Sequence, residues 1–436
     1  MTNKLSRRRF LRLSAGAAAG TFFASQASGL AYAHPSNQDA VALRIHHRLG
    51  VETDNWTFWA NKFNDKYGPN VSAKVEGFPG TEYFQKINTL AAGGTIGDAF
   101  WISSIEGFYR LAATGVISPI DDLVKDSGYD LKQHYDLCIK ASSLNGKLYG
   151  LPQLAHPGRV GLFYNKPVFD AAKVTYPDDS WTYNDLLEAA KKLTNPGKGV
   201  YGFMDPEASY FSVLVWLRAW GGDVINEDGT KCPINSPKAI EALNFLSDMY
   251  HKDKVIPPPN STPNAQYQLF AANQLAMYQS GFWGVGVRDF VPKDTWGVAP
   301  MPKGPAGVRG SMFESDPIVL SSNSKHRKEA FDFMQMIASF DAEKRLKATF
   351  GATSSRPDVM ADPDTLSDPT QKVFGGVMAE AMPLVLPANF RETEYFKTIG
   401  AQLQAIWLGQ ATVDQVINDI QKAGQEILDK PSLAAS

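Results

Sequence analysis

Two short motifs have the residue types of catalytic sites, and neither is complete. Ser322-Asn323-Ser324-Lys325 has the spacing of the Ser-x-x-Lys nucleophile motif of serine acylases. Its companions Ser-Asp-Asn and Lys-Thr-Gly are absent, because Lys397-Thr398-Ile399-Gly400 carries an isoleucine between the threonine and the glycine. Gly-x-Ser-x-Gly and His-Glu-x-x-His are absent as well. A glycosidase needs only two positioned carboxylates, so an exported glycosidase stays as an alternative, but the sequence favours binding over catalysis.

The aromatic and charged residues indicate what the chain could bind. It contains 9 Trp, 16 Tyr and 25 Phe; most must be core, but a site that stacks rings needs a surplus of this kind. The first 33 residues hold five of the 43 basic residues and none of the 45 acidic ones, which leaves 38 against 45 and a net charge of −7. This acidity disfavours nucleic acid and anionic membranes as partners. His46 and His47 face opposite sides of a predicted strand, so they do not indicate a metal site, and we expect no cofactor.

The N-terminus has the pattern of a twin-arginine export signal. Ser6-Arg7-Arg8-Arg9-Phe10-Leu11-Arg12 precedes an uncharged segment that ends in Ala31-Tyr32-Ala33, a cleavage site of the Ala-x-Ala type. The segment is too polar for a good membrane span, and no cysteine follows the cleavage site to indicate a lipid anchor. We therefore predict a soluble periplasmic protein that begins near His34. Its 403 residues, 436 less the first 33, suffice for two or three domains or one two-lobed unit.

Cys138 and Cys232 are the only cysteines, and their spacing fits neither a Cys-x-x-Cys motif nor a zinc site. They could form a disulfide in an oxidising compartment, but the sequence alone does not place their Cα atoms within bonding distance. Two buried free thiols are the alternative that we favour slightly.

Strand-like and helix-like segments alternate along most of the chain. The predicted strands cover 41–47, 71–78, 98–102 and 160–164. The predicted helices cover 55–67, 83–92, 237–251, 326–338, 395–408 and 413–428. A further helix opens near Trp181, where Thr182 and Asp185 have the spacing of a capping box. The alternation predicts an α/β fold with parallel sheets flanked by helices, and the C-terminal third is almost wholly helical.

Several sequence blocks occur together in an order that a known family shares. They are Phe78–Ile87, Leu90–Thr95, Asp98–Trp101, Asn145–Pro152, Leu162–Lys166, Ser180–Leu187, Ala189–Thr194, Leu269–Ala271, Ala276-Met277, Gly281–Trp283 and Ser322–Lys325. In this order they resemble the extracellular solute-binding proteins of ABC importers, in the sugar-binding group that includes maltodextrin-binding protein. The resemblance extends from about residue 40 to residue 430. The chain departs from the family at Gly97 and at Phe282, where a proline is common.

The resemblance implies a two-lobed periplasmic-binding-protein fold of type II, with a ligand cleft between the lobes. It places chain crossings near Pro152–Pro157, Ser311–Pro317 and Ser354–Pro357. The predicted organisation is a signal peptide (1–33), lobe 1 (34–152), lobe 2 (153–312), a return to lobe 1 (313–356) and a helical segment of lobe 2 (357–436).

Aromatic side chains are the first candidates for ligand binding that the resemblance implies. A sugar has an apolar C–H face that stacks on flat rings. Trp283 follows a predicted strand in a loop that faces the cleft in the family, and Trp101 ends a strand of the first lobe. Tyr210 corresponds to an aromatic loop of the second lobe. Near the C-terminus we choose Tyr395 rather than Phe396, since only one of two adjacent residues can turn inward. Core packing is the alternative for each of these rings.

Polar residues at the predicted cleft could bind sugar hydroxyls. His47 ends the first strand, and Glu76 and Ser104, with Glu106, flank the cleft of the first lobe by analogy. At the other two crossings the candidates are Glu314, together with Asp316, and Arg356. Solvated surface side chains are the alternative for the acids of the second crossing and for the arginine.

The predicted function is that of the receptor of an ABC importer. It would capture a mono- or oligosaccharide and deliver it to the permease subunits. We expect the protein itself to be a monomer. The alternatives are a glycerol phosphate ester, which Arg356 and Arg391 would suit, and a polyamine, which would need more acids at the cleft. A binding protein that serves sensing or adhesion rather than transport has the same sequence features.

Overall fold

The computed structural model describes residues 40–434 except 51, 81, 206–209 and 259–264, and the predicted export signal lies outside these ranges. Within them, no helix is long and apolar enough to cross a membrane. The strands are β1 (Val41–Leu49), β2 (Val71–Pro79), β3 (Ala99–Trp101), β4 (Ser143–Leu144), β5 (Lys147–Leu148), β6 (Gly150–His156), β7 (Gly161–Asn165), β8 (Tyr201–Met204), β9 (Leu275–Ser280), β10 (Trp296–Pro300) and β11 (Glu314–Leu320).

The helices surround these strands along the whole described chain. They are α1 (Thr53–Tyr67), α2 (Tyr83–Ala92), α3 (Phe108–Ala113), α4 (Asp121–Ser127), α5 (Asp136–Ala141), α6 (Lys166–Ala172), α7 (Tyr183–Leu193), α8 (Tyr210–Trp220), α9 (Pro237–His251), α10 (Ala265–Ala271), α11 (Arg327–Ile337), α12 (Phe340–Phe350), α13 (Pro357–Met360), α14 (Pro363–Leu366), α15 (Pro369–Met378), α16 (Glu392–Trp407) and α17 (Val413–Leu428). The alternation predicted from the sequence is confirmed.

The first sheet combines early strands with one from far along the chain, in the order β2-β1-β3-β11-β6. β1 is parallel to β2 and β3, and α1 and α2 form the connections that parallel strands require. β11 is antiparallel to β3 and β6. The sheet is therefore mixed and not purely parallel as the alternation predicts.

The second sheet is also mixed, with the order β10-β7-β9-β8. β8 is parallel to β9, whereas β7 is antiparallel to β9 and β10. The predicted capping box at the start of α7 is confirmed: Asp185 N donates to Thr182 Oγ1 (3.2 Å), and Thr182 N donates to Asp185 Oδ2 (2.8 Å). The predicted helical end of the chain is confirmed too, since α16 and α17 pack together and against α8 and α9.

Three chain segments that connect the two sheets lie side by side. β6 leads to β7, β10 leads to β11, and residues 351–356 follow α12. Leu154 and Ser354 form an isolated bridge, and Ser315 Oγ donates to Leu154 O at 2.9 Å. The predicted crossings fall on these segments. The lobe boundaries themselves, at residues 152, 312 and 356, stay a prediction.

Cys138 and Cys232 are both buried free thiols, as we favoured from the sequence. Cys138 packs beside Ala155 and Phe313 next to the connecting segments. Cys232 belongs to the hydrophobic core beside the second sheet. The two cysteines thus contribute to two separate buried clusters.

Candidate ligand-binding site

A cavity of about 440 Å³ lies where strand ends of the first sheet meet loops of the second. Side chains of both sheets and of the connecting segments line it: Arg48, Trp101, Ser103, Ile105, Glu106, His156, Arg159, Phe211, Phe282, Trp283, Glu314 and Asp316. Its volume is within the range of about 300–1,000 Å³ that is usual for small-molecule sites. The structure thus brings together five of the residues selected from the sequence, namely Trp101, Glu106, Trp283, Glu314 and Asp316.

Trp283 is a partly buried ring in the wall of this cavity. It lies in a 3-10 helix, Phe282–Asp289, that follows β9. The guanidinium carbon of Arg159 is 5.2 Å from the centre of its ring, and His156 meets it edge-on at 5.5 Å. A Cβ atom at Gly281 would lie 2.2 Å from Trp283 Cζ3, so this approach of ring to backbone requires glycine. The glycine therefore decides where the indole ring lies.

Trp101 lines the same cavity with much less free surface. Its side chain is 3% exposed, and the guanidinium carbon of Arg48 is 4.4 Å from its ring centre. The Tyr83 hydroxyl donates to Trp101 O at 2.7 Å and fixes the end of β3. Since Arg48 already covers one face, this indole offers a ligand an edge more readily than a stacking surface.

Glu314 and His156 form a buried ion pair in the cavity wall. His156 Nδ1 lies 2.9 Å from Glu314 Oε1, and the two residues are 5% and 4% exposed. Burial alone would lower the pKa of His156, but the adjacent Glu314 carboxylate outweighs it and raises this pKa. The pair therefore supplies a positive and a negative charge that compensate each other.

Two further carboxyl groups line the cavity beside this pair. Asp316 is 5% exposed, and its burial, with a contribution from Glu314, raises its pKa to about 6. Glu106 is exposed to the cavity, yet desolvation by the surrounding protein, together with Glu314 and Asp316, raises its pKa to about 7. The two raised pKa values therefore reflect burial first and the repulsion among the carboxyl groups second, against the opposing charges of Arg48, His156 and Arg159.

Seven lining residues were not among the sequence-based candidates, and all but Arg159 had a signal in the sequence. Ser103 and Ile105 are direct neighbours of the candidate Ser104. Arg48 and Phe211 are direct neighbours of the candidates His47 and Tyr210. Phe282 is one of the two departures from the family pattern, and His156 falls within the first predicted crossing. No sequence signal pointed to Arg159. Its guanidinium carbon lies between two rings, 5.4 Å from the ring centre of Phe211 and 5.2 Å from that of Trp283.

The structure places Tyr210 and Tyr395 in the hydrophobic core beside the second sheet and not in the wall of this cavity. Tyr395 is fully buried, and its hydroxyl donates to the carbonyl of Val224. Tyr210 is 3% exposed, and its ring centre is 4.5 Å from that of Phe396. The choice of Tyr395 over Phe396 gains nothing, because neither lines the cavity around Trp283.

His47 is also placed away from the cavity. Its ring stacks on Trp56 with centroids 5.6 Å apart, and its Nδ1 is 2.9 Å from Arg48 O. Burial lowers the pKa of His47, so it is a neutral core side chain. Adjacent residues of a strand face opposite sides, and β1 therefore presents Arg48 to the cavity instead.

Glu76 belongs to a polar cluster between β1 and β2. It pairs with Arg44 at 3.0 Å and with His46 Nδ1 at 3.3 Å. Gly97 N donates to His46 Nε2 at 2.7 Å, and a Cβ on Gly97 would be 2.4 Å from Arg44 O. Proline could not make this hydrogen bond, which explains the departure at Gly97. Glu76 is thus a structural residue and does not line the cavity.

Ser104 and Arg356 stabilise the fold near the connecting segments. Ser104 N donates to Ser315 O at 2.9 Å, and Ser315 N donates to Ser104 Oγ at 3.0 Å. Arg356 makes two bonds to Asp358, at 3.0 and 2.8 Å, and donates to Gln133 Oε1 at 2.6 Å. Neither side chain lines the cavity. Ser104 holds the backbone of Ser315, and Arg356 holds the side chains of Asp358 and Gln133.

This architecture, two mixed α/β units joined by adjacent connecting segments with a cavity between them, defines a two-lobed periplasmic binding protein. The family model of the bacterial extracellular solute-binding proteins matches residues 50–344. The chain therefore belongs to this family, which serves ABC transporters, and membership implies a solute ligand and permease partners.

Relatives of the chain include other transporter components. An uncharacterised ABC transporter extracellular-binding protein of Pyrococcus horikoshii is 26% identical over 413 residues, 90% of this chain and 88% of that protein. The sn-glycerol-3-phosphate-binding periplasmic protein of Agrobacterium fabrum is 27% identical over 191 residues, only 40% of this chain and 42% of that protein.

Solved structures with the same fold cover nearly the whole described chain. An ABC substrate-binding protein of Listeria monocytogenes, in complex with cycloalternan, has a TM-score of 0.80 at 22% identity and covers 89% of this chain and 99% of its own. The maltose-bound MalE3 protein of Thermotoga maritima has a TM-score of 0.77 at 24% identity, with 89% and 100% covered. These similarities confirm the predicted two-lobed fold.

Proposed function

We propose that this protein is the receptor of an ABC importer for a carbohydrate, which it captures in the cavity between its lobes. The observation that carries the proposal is the composition of the cavity wall. Phe211, Phe282 and Trp283 supply rings for the C–H face of a sugar, and carboxyl and guanidinium groups supply hydrogen-bond partners for its hydroxyls. Solved proteins of this fold with maltose or cycloalternan support the same ligand class.

The charges in the cavity favour a polyhydroxylated ligand over a phosphate ester. Glu106, Glu314 and Asp316 would repel a phosphate dianion, and each can accept a hydrogen bond from a hydroxyl. Of the two arginines, Arg48 is held by Glu52 at 2.7 Å. The relative that binds sn-glycerol 3-phosphate matches only 40% of this chain, so it supports the phosphate ester weakly.

Capture would operate by a shift in the population of two arrangements of the lobes. A ligand that contacts Trp101 on one lobe and Trp283 on the other binds the closed arrangement better and therefore favours it. The permease would recognise that arrangement and receive the ligand. The ligand undergoes no reaction in this process, so the protein acts as a receptor and not as an enzyme.

A thermal-shift screen tests the proposal. Glucose, galactose, maltose, maltotriose, sn-glycerol 3-phosphate and spermidine are each added to the purified protein; a ligand at 100 times its Kd adds about 2.7 kcal/mol of stability. We expect a shift with a sugar and its loss in Trp283→Ala. Trp181→Ala is the matched control, since Trp181 packs partly buried against the hydrophobic core beside the second sheet and does not line the cavity. A shift with the phosphate or the polyamine alone would refute the carbohydrate.

Export by the twin-arginine route is part of the same proposal. Replacing Arg7 and Arg8 by lysine should retain the precursor in the cytoplasm with its leader uncleaved. Arg9→Lys serves as the control substitution. Fractionation of cells followed by mass measurement of the protein distinguishes the two outcomes, and normal export of the double variant would refute this route.

A further inference from the structure

The carboxyl groups that line the cavity differ in their direct partners. Glu314 is neutralised by His156 at 2.9 Å. The remaining carboxyls, Glu106 and Asp316, lie near enough to each other and to Glu314 for their charges to interact. Glu106 and Asp316 therefore face one cavity of about 440 Å³ together. The positive charges near them belong to Arg48, Arg159 and His156.

Asp316 is the more informative of these two carboxyls. It is 5% exposed and lines the cavity, and among the described residues no donor reaches its Oδ1 atom. The pairing of β11 with β6 shifts register between Asp316 and Pro317, and such a bulge re-aims the side chains beside it. Burial of a carboxylate oxygen without a donor is costly, so a donor from outside the chain would be strongly favoured.

The positive groups of the cavity are held against aromatic rings. Arg48 pairs with Glu52 at 2.7 Å and lies over Trp101. The Arg159 guanidinium carbon lies between the rings of Phe211 and Trp283. In the part of the chain that the structure describes, no group of three or more His, Cys, Asp or Glu could hold a metal ion. An organic cation therefore suits the two carboxyls Asp316 and Glu106 better than a metal ion does.

We propose that the ligand is a carbohydrate that carries a protonated amine, with the ammonium group bound by Asp316 and Glu106 while Trp283 contacts the sugar ring. This inference rests on the proposed function and narrows its ligand class to amino sugars. An ammonium group has three donors and no acceptor, so it can supply Asp316 Oδ1 with its missing donor and bond Glu106 as well. A charge-assisted bond of this kind is about twice as strong as a neutral one.

Isothermal titration calorimetry with matched sugar pairs tests the inference. Glucosamine, galactosamine and chitobiose are compared with glucose, galactose and cellobiose, which carry a hydroxyl in place of each amine; N,N′-diacetylchitobiose supplies an uncharged amide. We expect at least one amino sugar to bind about tenfold or more tighter than its parent. Asp316→Asn and Glu106→Gln should each reduce this preference, whereas Glu241→Gln, an exposed acid of α9, should leave it intact.

A second readout is the pH dependence of affinity. Rising pH ionises Asp316 and Glu106, whose pKa values are raised to about 6 and about 7, and removes the positive charge of His156, whose pKa is also raised. Each change strengthens the attraction for a cation, so an amino sugar should bind more tightly at pH 7 than at pH 5.5 and should release protons. The other charged groups that face these carboxyls are Arg48, Glu52, Arg159 and Glu314.

The outcomes separate this inference from the proposed function. Parent sugars that bind as tightly as their amino derivatives would overturn the inference and leave the sugar receptor in place. If none of the sugars binds, or if spermidine alone binds, both the inference and the proposed function are overturned. A preference for amino sugars that persists in both Asp316→Asn and Glu106→Gln would overturn the assignment of these two carboxyls as the binding groups. Because the side chain of Glu106 is exposed, we expect Glu106→Gln to fold even if Asp316→Asn does not.

Discussion

His156 Nδ1 lies 2.9 Å from Glu314 Oε1, and the same two residues are opposite each other in the pairing of β6 with β11. Both strands run into segments that connect the two sheets. The ion pair therefore belongs to the connecting segments, whereas Trp101 ends a strand of the first sheet and Trp283 follows a strand of the second. In the lobe closure that we propose, this part of the wall would stay fixed while Trp101 and Trp283 approach it.

The buried carboxyl of Asp316 should make the stability of the unliganded protein depend on pH. Its pKa is raised from 3.8 to about 6, so between these values the folded state binds more protons than the unfolded state, and stability falls as pH rises. Asp316→Asn should thus be more stable than the wild type at pH 8 by on the order of 3 kcal/mol. Urea unfolding of both proteins at pH 4 and pH 8 measures this. The difference in unfolding free energy between the variant and the wild type should nearly vanish at pH 4. An equal difference at both pH values would contradict the prediction.

Gly281→Ala should weaken sugar binding by displacing the indole of Trp283. The new methyl group would lie 2.2 Å from the ring, which must move. We expect a loss of affinity of about tenfold or more, or about 1.4 kcal/mol. Gly376→Ala is the control, because a Cβ atom there meets nothing within 4 Å and alanine favours the helix. Unchanged affinity in Gly281→Ala would show that the position of this ring does not matter for binding.

Tyr395→Phe should lower stability without changing affinity. The substitution removes the hydrogen bond to Val224 O and leaves the packing of the ring. The loss of one buried hydrogen bond costs about 1–3 kcal/mol when its acceptor stays unsatisfied. Unfolding by urea measures the loss, and titration with the sugar found in the screen measures affinity. A change in affinity of more than about tenfold would return Tyr395 to the binding site.

Arg356→Lys should likewise lower the stability of the protein and leave its affinity for the ligand unchanged. Lysine cannot reproduce the two bonds to Asp358 together with the bond to Gln133, so we expect a cost of about 1–3 kcal/mol. The comparison of urea midpoints with sugar affinities separates the two effects. If affinity fell while the midpoint stayed constant, Arg356 would contact the ligand after all.

The sequence by itself determined the class of fold and the loops that form the cavity. Alternation of strands and helices predicted the α/β layers, and the resemblance of the ordered sequence blocks to a known family implied two lobes with several crossings. The loop after β9 contains Trp283, and β3 ends at Trp101, both of which line the cavity. These features are local, because propensity, capping and glycine placement decide them within a few residues.

Only the tertiary structure decided which of two adjacent side chains faces the ligand. The cavity is lined by Arg48 and not His47, by Ser103 and not Ser104, and by Phe211 and not Tyr210. Neighbouring residues face opposite sides in a strand such as β1 and lie about 100° apart around a helix such as α8, so an error of one position exchanges a core residue for a cavity residue. Packing against the rest of the chain sets this orientation. Tyr395 and Arg356 could not be placed from the sequence for the same reason, since their partners Val224 and Gln133 are distant in the chain.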